Sequence, residues 1–247
     1  MHISDYLFLG NAVTGIVGSS DSSIGSINNP SGRGVGPGGL TYNFIITPAA
    51  SATNNLAASQ ALAGAGNVVL TAGAGVTQTT VRGVTAYRLD VPRAISITST
   101  ANLSAVNITV SGFDQYGQAM TETRAGPNIT TANFQKAFAF ITSITTSAAA
   151  SNISAGTTNI FGFPFRVRDR GFLARIGWDN TTADNAATVV VADTNTATAT
   201  TGDVRGTITP AGAAPNGSRI LAVLLMLEGI QAGPFATTVG ALGVTQA

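Results

Sequence analysis

His2 is the only histidine in the chain, and cysteine is absent. Those two facts remove most catalytic and metal chemistry. A Ser-His-Asp relay would need the residue beside Met1 to be held rigidly in a pocket. Zinc sites built on imidazole or thiolate lack their donors, and no disulfide can form. Oxygen chemistry remains. Asp179, Asp184, Asp193 and Asp203 gather in the second half, with Asn180, Asn185 and Asn195 nearby. Loop carboxylates and amides of this kind could hold Ca²⁺, and two of the acids could flank a glycosidic bond. No segment has the helical calcium-loop pattern or ligands at alternate positions. Asp and Asn in turns ordinarily cap backbone amides. Turn chemistry therefore ranks first, a calcium site second and a catalytic pair third.

Phosphate chemistry is no better supported. Gly32, Gly34 and Gly36 are followed by Pro37-Gly38-Gly39. A dinucleotide cradle must instead open a helix at that point. Arg166, Arg168, Arg170 and Arg175 form the basic cluster of the chain, interleaved with Phe165, Asp169 and Phe172. On an alternating strand, Arg166, Arg168 and Arg170 would share one face. With a net charge of +1, such a stripe fits an acidic protein neighbour better than nucleic acid. A solvated face is the plain alternative. No catalytic, cofactor-binding or metal-binding residue is assigned, and no cofactor is expected.

The elements that would position these residues read as strands. Ile95 and Ile97 alternate with Ser96 and Thr98, and Val106, Ile108 and Val110 with Asn107 and Thr109. This is the period of a strand with one buried face. Asp114 to Gln118 reads as a turn with Gly117 at positive φ, and Met120 to Thr123 as the returning strand. Further strands are expected at Tyr42–Ile46, Tyr87–Val91 (stopped by Pro92), Phe161–Val167, Phe172–Trp178, Val189–Val191 and Val204–Thr209. Val68–Leu70 and Thr79–Val81 are weaker candidates. Ile220–Leu227 is apolar throughout, as in a central strand covered on both faces. It is much shorter than the roughly 20 residues a membrane helix needs. Residues 49–66 are Ala-rich and predict one short helix ended by Gly64 and Gly66. Phe134, Phe138, Phe140, Ile141 and Ile144 supply core bulk. Trp178, in a strand-like run, is expected to pack rather than to stack on sugar.

Composition agrees with a folded, weakly charged protein. Only 9 % of residues are charged and 44 % are hydrophobic, whereas soluble domains carry about a quarter charged. Lys136 is the sole lysine beside 11 arginines. That matches the interface preference of arginine and equally a GC-rich genome. The expected organisation is an N-terminal arm over 1–40, a β-sandwich domain over 41–230 and an extended Gly/Ala/Thr-rich tail over 231–247. Within the arm, Asp5-Tyr6-Leu7-Phe8-Leu9 forms an apolar tip ahead of a Gly/Ser/Asn-rich stretch. The tip could dock on a neighbour, fold back, or be a first strand of the domain.

Several segments resemble recurrent pieces of tailed-bacteriophage virion proteins. Leu89-Asp90-Val91-Pro92-Arg93 is similar to their D-V-P-R strand. Thr109-Val110-Ser111-Gly112-Phe113-Asp114-Gln115-Tyr116-Gly117 is similar to a T-V-x-G-x-D-x-x-G hairpin. Glu122-Thr123, Lys136-Ala137-Phe138 and Ile141-Thr142-Ser143-Ile144-Thr145 follow in the same order. Gly162-Phe163-Pro164-Phe165-Arg166 and Thr201-Gly202-Asp203-Val204-Arg205-Gly206-Thr207 look like the G-L-P-F-R and T-G-D-V-R-G elements of podovirus-like proteins. The resemblance covers roughly residues 88–210. It implies an all-β, jelly-roll-like β-sandwich and a non-enzymatic role in capsid decoration or cementing. It also implies the major capsid protein as partner, assembly as a homo-oligomer (a trimer favoured), and a place on the capsid exterior after synthesis in the host cytoplasm. Neither direct nucleic-acid nor membrane contact is expected. Candidate contact residues are Tyr6, Leu7, Phe8 and Leu9 of the arm and Arg166, Arg168 and Arg170. A tail, adaptor or head-fibre component, or a receptor-binding sandwich, is the alternative.

Overall fold

The computed structural model describes residues 40–193 and 202–227. Tyr6 to Leu9, the glycine-rich stretch after them and residues 231–247 lie outside the described residues.

The alternation around Ile95 belongs to β5 (Val84–Asn102), a 19-residue strand that organises one large antiparallel sheet. Along one side run β8 (Asn128–Asn133) and β9 (Phe138–Thr146), end to end, with Asn133 opposite Ser96 and Phe138 opposite Arg93. Along the other side run β10 (Ala150–Gly162) and β4 (Val76–Val81), with Thr157 opposite Ile95 and Val76 opposite Leu89. The sheet extends from β9 through β6 (Asn107–Phe113) to β7 (Ala119–Ala125). From β10 it extends to β2 (Ala52–Leu62), and at the far end of β10 to β14 (Thr207–Thr209) and β13 (Thr188–Val190). Two residues, β3 (Gly66–Asn67), pair with the end of β9. A second sheet has the order β1 (Leu40–Ile46), β15 (Leu221–Leu227), β11 (Leu173–Trp178), β12 (Thr182–Ala183). The architecture is an all-β, jelly-roll-like sandwich built on a curled sheet.

Two apolar cores follow from this curl. The larger packs Leu56, Val76, Leu89, Ile95, Ile97, Ile108, Val110, Met120, Phe134, Phe138, Ile141, Ile144 and Ile153. The smaller lies under the second sheet and packs Phe44, Val91, Phe161, Phe163, Val167, Ile176, Trp178, Ile208, Leu221, Val223 and Leu225. Val91 in β5 and Phe161 in β10 belong to the smaller core, so the two long strands carry one core into the other.

Several expectations need correction. The helix over 49–66 is instead β2. Helix preference is worth only tenths of a kcal/mol per residue, and pairing with β10 overrides it here. Leu56 and Ala57 are fully buried, and Asn55 accepts from Thr157 N and donates to Thr157 Oγ1, both at 2.9 Å. Small residues are required at that contact, because a Cβ on Gly156 would sit 1.8 Å from Ala52 O. Pro92 does not end its strand. Ladder registers shift between Arg88 and Arg93 on one side and between Thr157 and Phe161 on the other. Proline thus falls at an irregularity, where its missing N–H interrupts little. Finally, β15 is a central strand, but the described residues cover it on one face only. Leu221, Val223 and Leu225 are buried, whereas Ala222, Leu224 and Met226 are half-exposed.

Val68–Leu70 is not a strand. Val68 N donates to Ile144 O, and the Gln60 amide brackets the backbone of Val69. Thr79–Val81 lies in β4, Val189–Val190 in β13 and Thr207–Thr209 in β14.

Candidate functional site: a buried charge cluster between the cores

Charge is scarce in this chain, yet eight charged side chains are buried among the described residues: Arg93, Asp114, Glu122, Lys136, Arg166, Asp184, Asp203 and Arg205. Burying charge is costly unless it is paired and hydrogen-bonded. Most of these groups gather where the β6–β7 turn, the loop between β8 and β9 and the turn before β14 meet.

Asp114 opens the β6–β7 turn. Its Oδ1 accepts from Tyr116 N and Gln118 N, both at 2.8 Å, and Gly117 has the positive φ expected of it. Its Oδ2 accepts from Arg205 at 2.8 Å, with both side chains no more than 3 % exposed. The Arg205 guanidinium also lies 4.6 Å from the centre of the Tyr116 ring, a cation–π contact. The Tyr116 hydroxyl donates to Pro164 O at 2.6 Å, and Gln115 donates to Phe163 O. Arg205 is presented by a turn in which Asp203 Oδ1 accepts from Arg205 N, while its Oδ2 accepts from Ala137 N across the cluster. Gly206 completes that turn at φ 88°, and a Cβ there would meet Val190 O at 2.7 Å. Glu122 accepts from Gln135 N and Lys136 N.

The environment sets the titration. Burial pushes Glu122 up to about 7, against the pull of the Lys136 and Gln135 amides and the Arg124 and Lys136 charges. Burial likewise raises Asp203, opposed by the Arg205 and Ala137 amides and the Arg205 guanidinium. Lys136 is lowered by burial and held up by Glu122 and Asp203. The crevice among Pro92, Asp114, Gly162, Asp203 and Arg205 is about the size of one water molecule. The arrangement ties loops together and leaves little room for a substrate.

A neighbouring clasp is built on β5. Arg93 pairs with Asp90 at 3.1 Å, donates to Thr158 O, Ala49 O and Asn159 Oδ1, and stacks on Phe161. Asp90 in turn accepts from Ala49 N at 2.6 Å.

Six of the seven pieces that carry the virion-protein resemblance therefore meet in space, the exception being Ile141 to Thr145, which lies along β9 in the larger core. Asp114 and Gly117 come from the hairpin, Glu122 from the following strand, and Lys136 and Ala137 from the K-A-F piece. Phe163 and Pro164 come from G-F-P-F, Asp203 to Gly206 from G-D-V-R-G, and Pro92 from D-V-P-R. Sequence reasoning noticed these segments but not the ion pair within them, because Asp114 and Arg205 are 91 residues apart. Scarcity was the available signal, since an isolated Lys136 beside Ala137-Phe138 is an odd place for a surface charge.

The arginine stripe does not exist as a strand face. Among the described residues, Phe165 to Asp169 has no ladder partner. Val167 N is taken by Arg205 O, and Asp169 caps a short 3-10 turn, Arg170–Phe172, by accepting from Gly171 N at 2.6 Å. Arg166 is consequently turned inward and buried, whereas Arg168 and Arg170 are exposed. The acids of the second half act in turns. Asp184 accepts from Trp178 Nε1, Ala211 N and Gly212 N, and Asp179 from Ile220 N. Among the described residues no three His, Cys, Asp or Glu side chains gather closely enough to hold a metal ion. Trp178 is a core residue, 1 % exposed.

Comparison with protein-family models, with curated proteins and with solved structures gives no match to this chain.

Proposed function

We propose that this chain is a structural protein of a tailed-phage virion that binds the outside of the capsid and bridges neighbouring capsid subunits. One observation carries the reading. Six short segments that resemble virion-protein pieces, scattered over more than a hundred residues, converge on one buried cluster and its rim. Such convergence is what pieces that specify one fold would show. The remaining features suit the role. The exposed positions among the described residues are mostly Thr, Ser, Asn, Gly and Ala, and cementing needs many modest contacts multiplied by symmetry rather than a pocket. The partner is the major capsid protein, and self-association as a trimer fits the same reading. Contact candidates among the described residues are the exposed Arg168 and Arg170.

The test is co-sedimentation of purified protein with parental shells stripped of it. Binding that changes little between low and high salt supports contact through a weakly charged surface. Binding lost as salt rises points to arginines on phosphate instead, and absence of binding sinks the proposal.

A further inference from the structure

Lys136, the sole lysine of the chain, is buried together with two carboxyls. Glu122 in β7 accepts from Lys136 N at 2.8 Å, and Asp203, in the turn before β14, accepts from the next amide, Ala137 N, at 3.0 Å. The two acids are thus held on successive amides, and both act electrostatically on the Lys136 ammonium. Lys136 and Glu122 are 0 % exposed and Asp203 is 3 % exposed. Phe134, Phe138 and Met120, their near neighbours in sequence, are buried as well. Arg205 makes its ion pair with Asp114. Asp203 is held by backbone amides, Ala137 N on Oδ2 and Arg205 N on Oδ1. Out of water, an amine and two carboxyls favour their neutral forms. Burial moves all three that way, Glu122 and Asp203 up and Lys136 down. A neutral amine is a nucleophile, and a protonated carboxyl can be attacked by it.

We propose that Lys136 and Asp203 join in an intramolecular isopeptide bond, formed by the folded chain itself with Glu122 as proton carrier. Nζ of neutral Lys136 adds to Cγ of protonated Asp203. Ala137 N and Arg205 N, which sit on the Asp203 oxygens, stabilise the negative charge that develops there. Glu122 takes a proton from Nζ and delivers it to the departing hydroxyl. The C–N bond forms, the C–O bond breaks and one water leaves, with no oxidant or cofactor. The crevice lined by Ala137, Asp203 and Arg205, about the size of one water, gives that water room. No external substrate is needed, which suits a cluster with little space for one. Neighbours fixed by the fold supply the high effective molarity that amide formation in water lacks. The two acids divide the roles by environment. Glu122, pushed up to about 7, gains and gives protons near neutrality, as a carrier must. Asp203 is buried, pushed up and held by one amide on each oxygen, as an acceptor must be. The bond would fasten the loop before β9 to the turn before β14, segments 66 residues apart. This chemistry goes beyond the virion reading and stands without it.

Because Lys136 is the sole lysine, a lysine-specific protease cuts the denatured, unlinked chain once. The linked chain should resist that cut, and its intact mass should fall below its sequence mass by one water. Fragmentation of an arginine-specific digest should show a branched peptide that joins Lys136 to Asp203. Lys136→Arg and Asp203→Ala should each weigh their full sequence mass, and Asp203→Ala should be cut. In time courses after cell-free synthesis, Glu122→Gln should form the bond about a hundredfold more slowly than the parent, the scale of one proton-transfer group. Circular dichroism checks that each variant folds. A folded parent of full sequence mass, cut completely at Lys136, overturns the proposal whatever the variants do. So do a branch at Glu122 or at any residue other than Asp203, and bond formation unslowed in Glu122→Gln.

Discussion

Asp114→Asn isolates the charge at the centre of the buried cluster. The substitution keeps an oxygen for the Tyr116 and Gln118 amides and turns an amide nitrogen toward Arg205, so donor faces donor. Among the described residues Asp114 is the one carboxylate paired with Arg205, whose side chain is 3 % exposed. The guanidinium cannot recover the loss in water. Removing one partner of a buried pair costs about 3–5 kcal/mol. For a chain of this size, at about 2–4 °C per kcal/mol, the melting temperature should fall by roughly 6–20 °C. Urea unfolding followed by circular dichroism should show a lower midpoint at unchanged slope, the signature of lost stability rather than of a changed denatured state. Because the pair is buried, the loss should persist in high salt. Adding Arg205→Met to Asp114→Asn should recover part of it, because it removes the buried charge left without its partner. A single-substitution loss under about 1 kcal/mol, the value of an exposed pair, would refute the clasp.

Glu122 makes stability depend on pH. Its folded pKa of about 7 lies above the ordinary 4.5, so the folded state holds a proton that the unfolded state releases between those values. Stability from this group is full below about 4.5 and is lost as pH rises through 7, by about 3 kcal/mol at roughly 1.4 kcal/mol per pH unit. Urea midpoints from pH 5 to 8 should fall in the parent and flatten in Glu122→Gln. An unchanged slope would put the titration elsewhere. Gly156→Ala must push β2 from β10, because the new carbon meets Ala52 O at 1.8 Å. A loss of about 3 kcal/mol or more is expected, and a thermally silent variant would contradict the β2–β10 register. Trp178→Phe removes the indole donor from the buried Asp184 and should cost about 1–3 kcal/mol in the same melts.

What the sequence made legible was local. Ile95/Ile97 and Val106/Ile108/Val110 show their strands because one face is buried and the other is not, and the turn at Asp114 shows itself through Gly117. Residues 52–62 misled because their strand is imposed by β10, about a hundred residues later, on alanines that favour helix when alone. Pro92 misled because a bulge cannot be seen in one strand by itself. The arginine stripe misled because alternation implies a shared face only where a ladder holds the backbone flat, and Phe165 to Asp169 has none among the described residues. The segments forming the buried cluster were visible as resemblances, but their meeting was not, since nothing local links Asp114 to Arg205 or Ala137 to Asp203. The outer face of β15 was concealed by composition, because an unbroken apolar run looks the same whether one face or both are covered.

The central claim is that the protein works on the shell. Quantitative mass spectrometry of purified parental virions, giving its copy number against the major capsid protein, tests that claim most directly. The account predicts about one copy per capsid subunit, or a simple symmetric fraction of it. A ratio of only about a few per hundred would place the chain at the tail, the portal or a vertex, as expected of a component repeated around one axis rather than over the whole shell, and would contradict the account.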